Sequence, residues 1–373
     1  MKEGWEIKKL GDVCHSKSSN VSQNQLADQD GDYPIFGASG LIKNVSFYHR
    51  DTPYLSIVKD GSGFGRVTKM NAYTSVIGTL QYILPTDGID LDYLYYSLIS
   101  IDFKKYVSGA AIPHIYFKDY KNEPFLWMSL PEQKRIVTIL NDAFAKIEKA
   151  KANAEQNLKN AKELFESYLQ GVFENKGDDW EERKLNEITE VKDGTHDSPK
   201  YVSEGIPFVT QKNIKQIGLS LTDTKFITNI DHEKFHKRSN VKYGDILISM
   251  IGANRGMAAI VDDKRVFSIK NVGLIKASIN VNMQYLLYYL KSKSAMNYVL
   301  HMSNGGAQEF IGLTALRGFP IPYPPKKTQE TIVQKLDALS SETKKLEAIY
   351  EQKINDLEEL KKSVLQKAFS GEL

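Results

Sequence analysis

Cysteine is almost missing from this 373-residue chain: Cys14 is the only one. That excludes an intrachain disulfide and a cysteine-built zinc site, and it fits a reducing cytoplasm. Long apolar runs are also missing, since none approaches the roughly 18 residues needed to span a bilayer. The opening MKEGWEIKKL has no apolar core behind its lysines and is not read as a secretory signal. Neither sign of charge dominates, with 49 Lys and Arg against 46 Asp and Glu. The total therefore does not advertise a nucleic-acid partner.

The nucleotide fingerprints G-x-x-x-x-G-K-[ST] and G-x-G-x-x-G are absent, and Gly61, Gly63 and Gly65 are spaced for a hairpin. His232 and His236 could meet on one helix face but have no third ligand nearby, so a surface position is expected. His196 and Asp197 are sequence neighbours, which seldom face one another for acid–base work. The run Pro322-Tyr-Pro-Pro325 lacks the leading Asn or Asp of an amino-methyltransferase motif and reads as a helix entry. No enzymatic reading survives, and neither catalytic nor metal-ligating residues are assigned.

What the chain does contain is one helix written twice. Residues 131–173 and 327–369 align without a gap, and 14 of the 43 positions are identical. The identities include Gln133/Gln329, Ile136/Ile332, Leu140/Leu336, Leu164/Leu360, Leu169/Leu365 and Phe173/Phe369. Apolar residues recur in steps of four and three. Leu140, Ile147, Ala154, Ala161 and Tyr168 form one row, and Ile136, Ala143, Ala150 and Leu164 form the other. In the second copy the rows are Leu336, Tyr350, Leu357, Val364 and Ile332, Leu339, Leu346, Leu360. This period predicts a coiled coil about 65 Å long at 1.5 Å per residue. The polar residues Asn157 and Lys353 stand at equivalent seam positions. They are expected either to fix register or to mark a stretch that faces solvent.

The repeat reaches beyond the helices. WEIKKLGDV (Trp5 to Val13) is matched by WEERKLNEI (Trp180 to Ile188). Each is followed by short β-like runs broken by glycine, such as Tyr54-Leu-Ser-Ile-Val and Asp245-Ile-Leu-Ile-Ser-Met. A helical stretch comes next (Leu91 to Val107, Asn282 to Leu300), then a glycine-led loop, SGAAIPHIYFKDY or SNGGAQEFIGL. Proline closes each globule just before its long helix. The chain divides as a globule (1–130), a helix (131–173), a linker (174–179), a second globule (180–326) and a second helix (327–373). If the repeated seams pair, the second helix runs back along the first and the molecule has an approximate two-fold axis.

These features together resemble the specificity subunit of type I restriction-modification enzymes. The matching elements are the paired WEIKKLGDV and WEERKLNEI openings, the LPEQKRIV helix start, and the SYLQGVF and SVLQKAFSGEL helix ends. Two further segments, YLSIVKDGSGFGRV and KDGTHDSPKYVSEGIPFVTQKNI, look like that family's target-recognition segments. The resemblance implies an α+β fold in which two α/β target-recognition domains are separated by a long antiparallel two-helix coiled coil. It implies that each domain reads one half of an asymmetric, split DNA site. The helices would set the unread spacer and dock two methyltransferase subunits, with restriction subunits as further partners. S-adenosylmethionine, ATP and magnesium would belong to those partners, with no cofactor in this chain. The competing reading is a coiled-coil scaffold whose globules bind proteins.

Base reading requires bidentate donors and acceptors, and backbone anchoring requires cations, hydroxyls and free amides. In the first globule the candidates are Lys59, Ser62 and Arg66, with His114, Tyr116 and Lys118 from the following loop. In the second they are Thr195, His196, Ser198 and Lys200, then the cluster Gln211, Lys212 and Asn213. Asn254, Arg255, Lys270, Asn304 and Gln308 complete the set. Charge separates the halves modestly: residues 5–130 carry 12 cations against 13 acids, and residues 180–326 carry 20 against 14.

Overall fold

The computed structural model describes residues 4–109, 111–303 and 309–372. The chain forms two compact units, one built from residues 1–155 and 351–373 and the other from residues 156–350. Each unit contains one globule, the start of the long helix that leaves it, and the end of the other long helix. The division runs through the middle of both helices, Leu130–Glu174 and Lys326–Ser370.

The two globules share one topology. In the first unit a four-stranded antiparallel sheet has the order Cys14–Ser18, Leu80–Pro85, Tyr54–Val58, Val67–Met70. Beside it lies a three-stranded sheet, Gly40–Val45, Tyr33–Gly37, Ser75–Val76, whose last pair is parallel. A ribbon of Glu6–Lys9 with Pro124–Trp127 ties the start of the globule to its end. The second unit repeats all three parts. Its larger sheet runs Val191–Asp193, Val272–Ile275, Ile246–Ser249, Ala258–Ile260. Its smaller one runs Lys225–Ile227, Ile206–Val209, Ser268–Ile269, again with a parallel last pair. Its ribbon joins Glu181–Lys184 to Pro320–Tyr323. The second unit adds the hairpin Ile214–Lys215/Gly218–Leu219 and the helix Asn229–Ser239.

The helix expected over Leu91 to Val107 ends at Ile99, followed by a single 3₁₀ turn, Phe103–Tyr106. The one expected over Asn282 to Leu300 is two helices, Met283–Leu290 and Lys293–His301. The Ser292 hydroxyl accepts from the Ala295 amide and so caps a new start where the apolar pattern suggested continuity.

A glutamine kept in both helix copies explains how each globule grips its long helix. Gln133 is fully buried and accepts from the Asp90 amide (2.8 Å) while donating to Gly88 O and Met128 O. Gln329 is equally buried, accepts from the Asn282 amide (2.9 Å) and donates to Pro324 O. Asp90 and Asn282 in turn cap the short helices that pack alongside. Two tyrosines repeat the pattern. Tyr93 donates to Leu126 O and Tyr285 to Pro322 O, while Tyr96 donates to Asn141 and Tyr288 to Asp337.

Within the first unit the long helices run antiparallel, because Glu148 pairs with Lys361 and Lys151 with Glu358. Burial follows the heptad row only in the middle of the helix, at Ile147, Ala154 and Ala161. Against the globules the step becomes four: Ile136, Leu140 and Phe144 at one end, Ala161, Phe165, Leu169 and Phe173 at the other. Leu164 and Tyr168, expected in the seam, are 51% and 40% exposed. The reason is a change of neighbour. At its ends the helix packs on globule aromatics, as in Phe144 on Tyr96 and Phe173 on Tyr289, so the contact follows the i, i+4 ridge of a straight helix. Asn157 and Lys353 are exposed, which selects the solvent-facing alternative for both.

Candidate nucleic-acid interface

In the first unit the hairpin after Tyr54–Val58 is crossed by the segment Pro113–Ile115. Gly61 N donates to Pro113 O (2.9 Å) and Ile115 N donates to Lys59 O (2.9 Å). Gly61 and Gly65 hold φ of +90° and +79°, which the tight hairpin tip requires and which side chains resist. This crossing brings the two candidate loops of the first globule together. Asp60 sits between Lys59 Nζ (2.7 Å) and His114 Nδ1 (2.7 Å), both of which donate to its carboxylate. Burial pushes the Asp60 carboxyl up, but the hydrogen bonds from Lys59 and His114 outweigh it and leave it below the usual carboxylate value. The His114 ring lies 6.3 Å from Tyr116 in a stacked arrangement, and Lys118 Nζ is 5.4 Å from the Tyr116 ring centre. The result is a row of cation, carboxylate, imidazole, phenol and cation, with Tyr116 and Lys118 exposed. Arg66 donates to Ala38 O, and Ser62 is exposed on the same tip.

In the second unit the candidate residues form three groups. Thr195 is buried and bridges in parallel to Lys270; its amide donates to Ile269 O and its hydroxyl accepts from the Asp197 amide. Lys270 Nζ donates to Ser198 Oγ (2.6 Å), which places those two exposed polar groups together. His196 Nδ1 is 2.7 Å from Asn271 Oδ1, and its Nε2 is 3.1 Å from Asp193, which also takes a bidentate pair from Arg238. Asp197 bonds Lys234 (2.8 Å) rather than His196, so no His196–Asp197 pair forms. Lys200 is exposed.

The cluster Gln211, Lys212 and Asn213 is a 3₁₀ turn whose members face differently. Lys212 is exposed and Gln211 half-buried, with Gln211 Oε1 accepting from Ser249. Asn213 is only 4% exposed; its Oδ1 accepts from the Thr210 amide and hydroxyl, and its Nδ2 donates to Ser220 O. Asn254 is exposed on a hairpin tip. Beside it, the Arg255 guanidinium is tied to Ser303 Oγ, Gly252 O and Glu309. Asn304 and Gln308 lie outside the described residues.

His232 and His236 do meet on a helix face, ring centres 4.9 Å apart, but His232 is half-buried against Ser268 Oγ (2.8 Å) rather than at the surface. Among the described residues, no three His, Cys, Asp or Glu side chains gather as metal ligands. Sequence reasoning missed Asp60, Asp193, Arg238 and Asn271, which organise the candidate loops. It also missed that the hairpin tips of the two globules correspond, because they align at a different offset from the helices; the paired glycines Gly61/Gly65 and Gly252/Gly256 are the signal that was available.

The family described as the type I restriction modification DNA specificity domain matches this chain twice, over residues 2–157 and 177–359. The type I restriction enzyme MjaVIII specificity subunit of Methanocaldococcus jannaschii is 24% identical over 404 residues, covering 100% of this chain and 93% of that protein. The EcoBI specificity subunit of Escherichia coli is 23% identical over 294 residues, covering 71% of this chain and 62% of its own length. Among solved structures, a chain from work on complex assembly and conformational transition of the type I R-M system matches with a TM-score of 0.79. Its identity is 17%, with 100% of this chain and 99% of that one covered. The HsdS subunit from Thermoanaerobacter tengcongensis matches at 0.63, also 17% identical, with 100% and 98% covered. At these identities the two structures speak to the fold.

Proposed function

Because this chain belongs to the family of type I restriction modification DNA specificity domains, we propose that it is the non-catalytic, sequence-reading subunit of such an enzyme. Each repeat reads one half of a split, asymmetric duplex site. The observation that carries this reading is the double family match on two globules of one topology whose presented side chains differ. Like frames with unlike decorations suit two different half-sites better than one palindromic site.

In the first repeat, Lys59, Ser62, Arg66, His114, Tyr116 and Lys118 form the contact surface. In the second, the exposed or half-exposed His196, Ser198, Lys200, Gln211, Lys212, Asn254 and Lys270 do so. Thr195, Asn213 and Arg255 have their polar groups engaged inside the fold and act as positioning residues for the loops around them. The long helices set the unread spacer and dock two methyltransferase subunits, and restriction subunits complete the assembly. S-adenosylmethionine, ATP and Mg²⁺ belong to those partners, and the complex works in the cytoplasm, where its DNA is.

Methylome sequencing of cells that express this chain with its methyltransferase partner tests the reading. The expected result is a split motif with modified adenine in both halves; a continuous motif or none overturns it. A duplex gel shift by the assembled complex across a salt series separates the scaffold alternative. Phosphate-driven binding weakens steeply with salt, whereas an absent or salt-insensitive shift favours the scaffold.

A further inference from the structure

The hairpin tips of the two units are built on the same backbone hydrogen bonds. Gly252 N donates to Glu309 O (2.9 Å) as Gly61 N does to Pro113 O, and Ile311 N donates to Met250 O (2.8 Å) as Ile115 N does to Lys59 O. The isolated bridge Ile251↔Phe310 matches Asp60↔His114, and Gly252 and Gly256 repeat the positive φ of Gly61 and Gly65. These contacts define the correspondence residue by residue. Where the first tip carries Lys59, Asp60 and His114, the second carries Met250, Ile251 and Phe310.

The polar triad of one reader is thus an apolar triad in the other. Phe310 is 46% exposed beside the half-exposed Ile251. The cation of this tip, Arg255, is neutralised by Glu309 and held by Ser303 Oγ (3.0 Å), so it does not offset the apolar character. Whatever Asn254 contributes elsewhere on the tip, the side chains at these three positions cannot read base edges by hydrogen bonds. The one apolar group that DNA presents in its major groove is the thymine 5-methyl, and phenylalanine is among the side chains that contact it.

We infer that Phe310, supported by Ile251, reads a thymine methyl in the half-site of the second repeat, at the place where the first repeat reads polar base edges through Lys59 and His114, held together by Asp60. The inference rests on the DNA-reading role proposed above.

The test uses the assembled complex of this chain with its methyltransferase partner. The probes are duplexes of the modified motif in which one thymine at a time is replaced by deoxyuridine, which removes only the methyl. Footprinting assigns each half-site to its repeat. At one thymine of the second half, deoxyuridine should weaken binding by wild-type complex about fourfold, the worth of one buried methyl-sized group. Binding by Phe310→Ala should be insensitive to that replacement. Phe310→His, which fills the space with the first repeat's residue, should be insensitive too and guards against a folding defect in the truncation. Thymines of the first half should respond alike in all three proteins. Equal deoxyuridine sensitivity in wild type and both variants at every thymine overturns the inference, as does a second half in which no thymine methyl matters. A complex with no preference for any motif overturns the DNA-reading role instead.

Discussion

Lys212 and Asn213 are neighbours in a single turn, yet their side chains have opposite fates. The ammonium of Lys212 projects from the surface, while the Asn213 amide closes the turn by bonding Thr210 and Ser220. Lys212→Ala should weaken binding of the complex to its motif and make the salt dependence shallower, with no change in melting temperature. Asn213→Ala should act through the fold, costing about 1–3 kcal/mol for the buried groups it leaves unpaired, as read by urea unfolding. An Asn213→Ala protein of unchanged stability but weakened motif binding would make Asn213 a reader instead. His232 gives a residue-scale pH dependence. Burial first, and the adjacent His236 second, hold its pKa below the ordinary 6.5. The unfolded chain therefore binds the proton before the folded one as pH falls. The stability that neutral His232 contributes is complete above 6.5 and is lost as pH drops from there toward the lower folded value. Unfolding midpoints between about pH 7 and about pH 5 should fall less for His232→Gln than for wild type; parallel curves would remove His232 as the cause.

At the scale of elements, the two long helices show why a sequence can repeat without every position doing the same work. Gln133 and Gln329 are kept because each meets an identical set of demands: a helix-capping amide to accept from and a carbonyl to donate to, both out of water. Ala at either position leaves buried backbone groups without partners, at about 1–3 kcal/mol or more. Gln133→Ala should destabilise the first unit and Gln329→Ala the second, measured by hydrogen exchange resolved along the chain. Uniform loss of protection in both units from either substitution would instead show a single cooperative block. Leu164 and Leu360, also identical, are 51% and 48% exposed, so their retention has no cause in the packing of either unit. The hairpin tips show the converse: their backbone bonds repeat while their side chains do not.

At the scale of the whole molecule the proposal makes the helices a ruler. Seven residues extend an α-helix by about 10 Å, close to three base pairs at about 3.4 Å each, and a heptad returns the buried face nearly to its place. Insertions of one heptad after Ala154 and after Tyr350 fall where the heptad step governs burial and away from the four-residue steps that face the globules. The modified motif should then keep both half-sites and gain about three base pairs of spacer, read by methylome sequencing. A changed half-site, or an unchanged spacer, would deny the helices that role.

Periodicity and repetition are local, additive properties of a chain, and they were legible without coordinates. They revealed the duplication and the long helices, whose observed bounds, Leu130–Glu174 and Lys326–Ser370, lie within three residues of those read from the sequence. Most strand-like runs became strands because alternation and glycine breaks act over a few neighbours. What tertiary structure alone decided was which partner each side chain met. Leu164 and Tyr168 left the seam because globule aromatics, distant in sequence, joined the partner helix as a packing surface. Asn213 turned inward because Ser220 waited for its amide, and Asp60 became the centre of a site because His114 arrived beside it from a loop 54 positions away. The equivalence of Lys59, Asp60 and His114 to Met250, Ile251 and Phe310 needed the hydrogen bonds of both crossings. Sequence identity at those tips had shrunk to the paired glycines, while the backbone geometry that defines them had been kept.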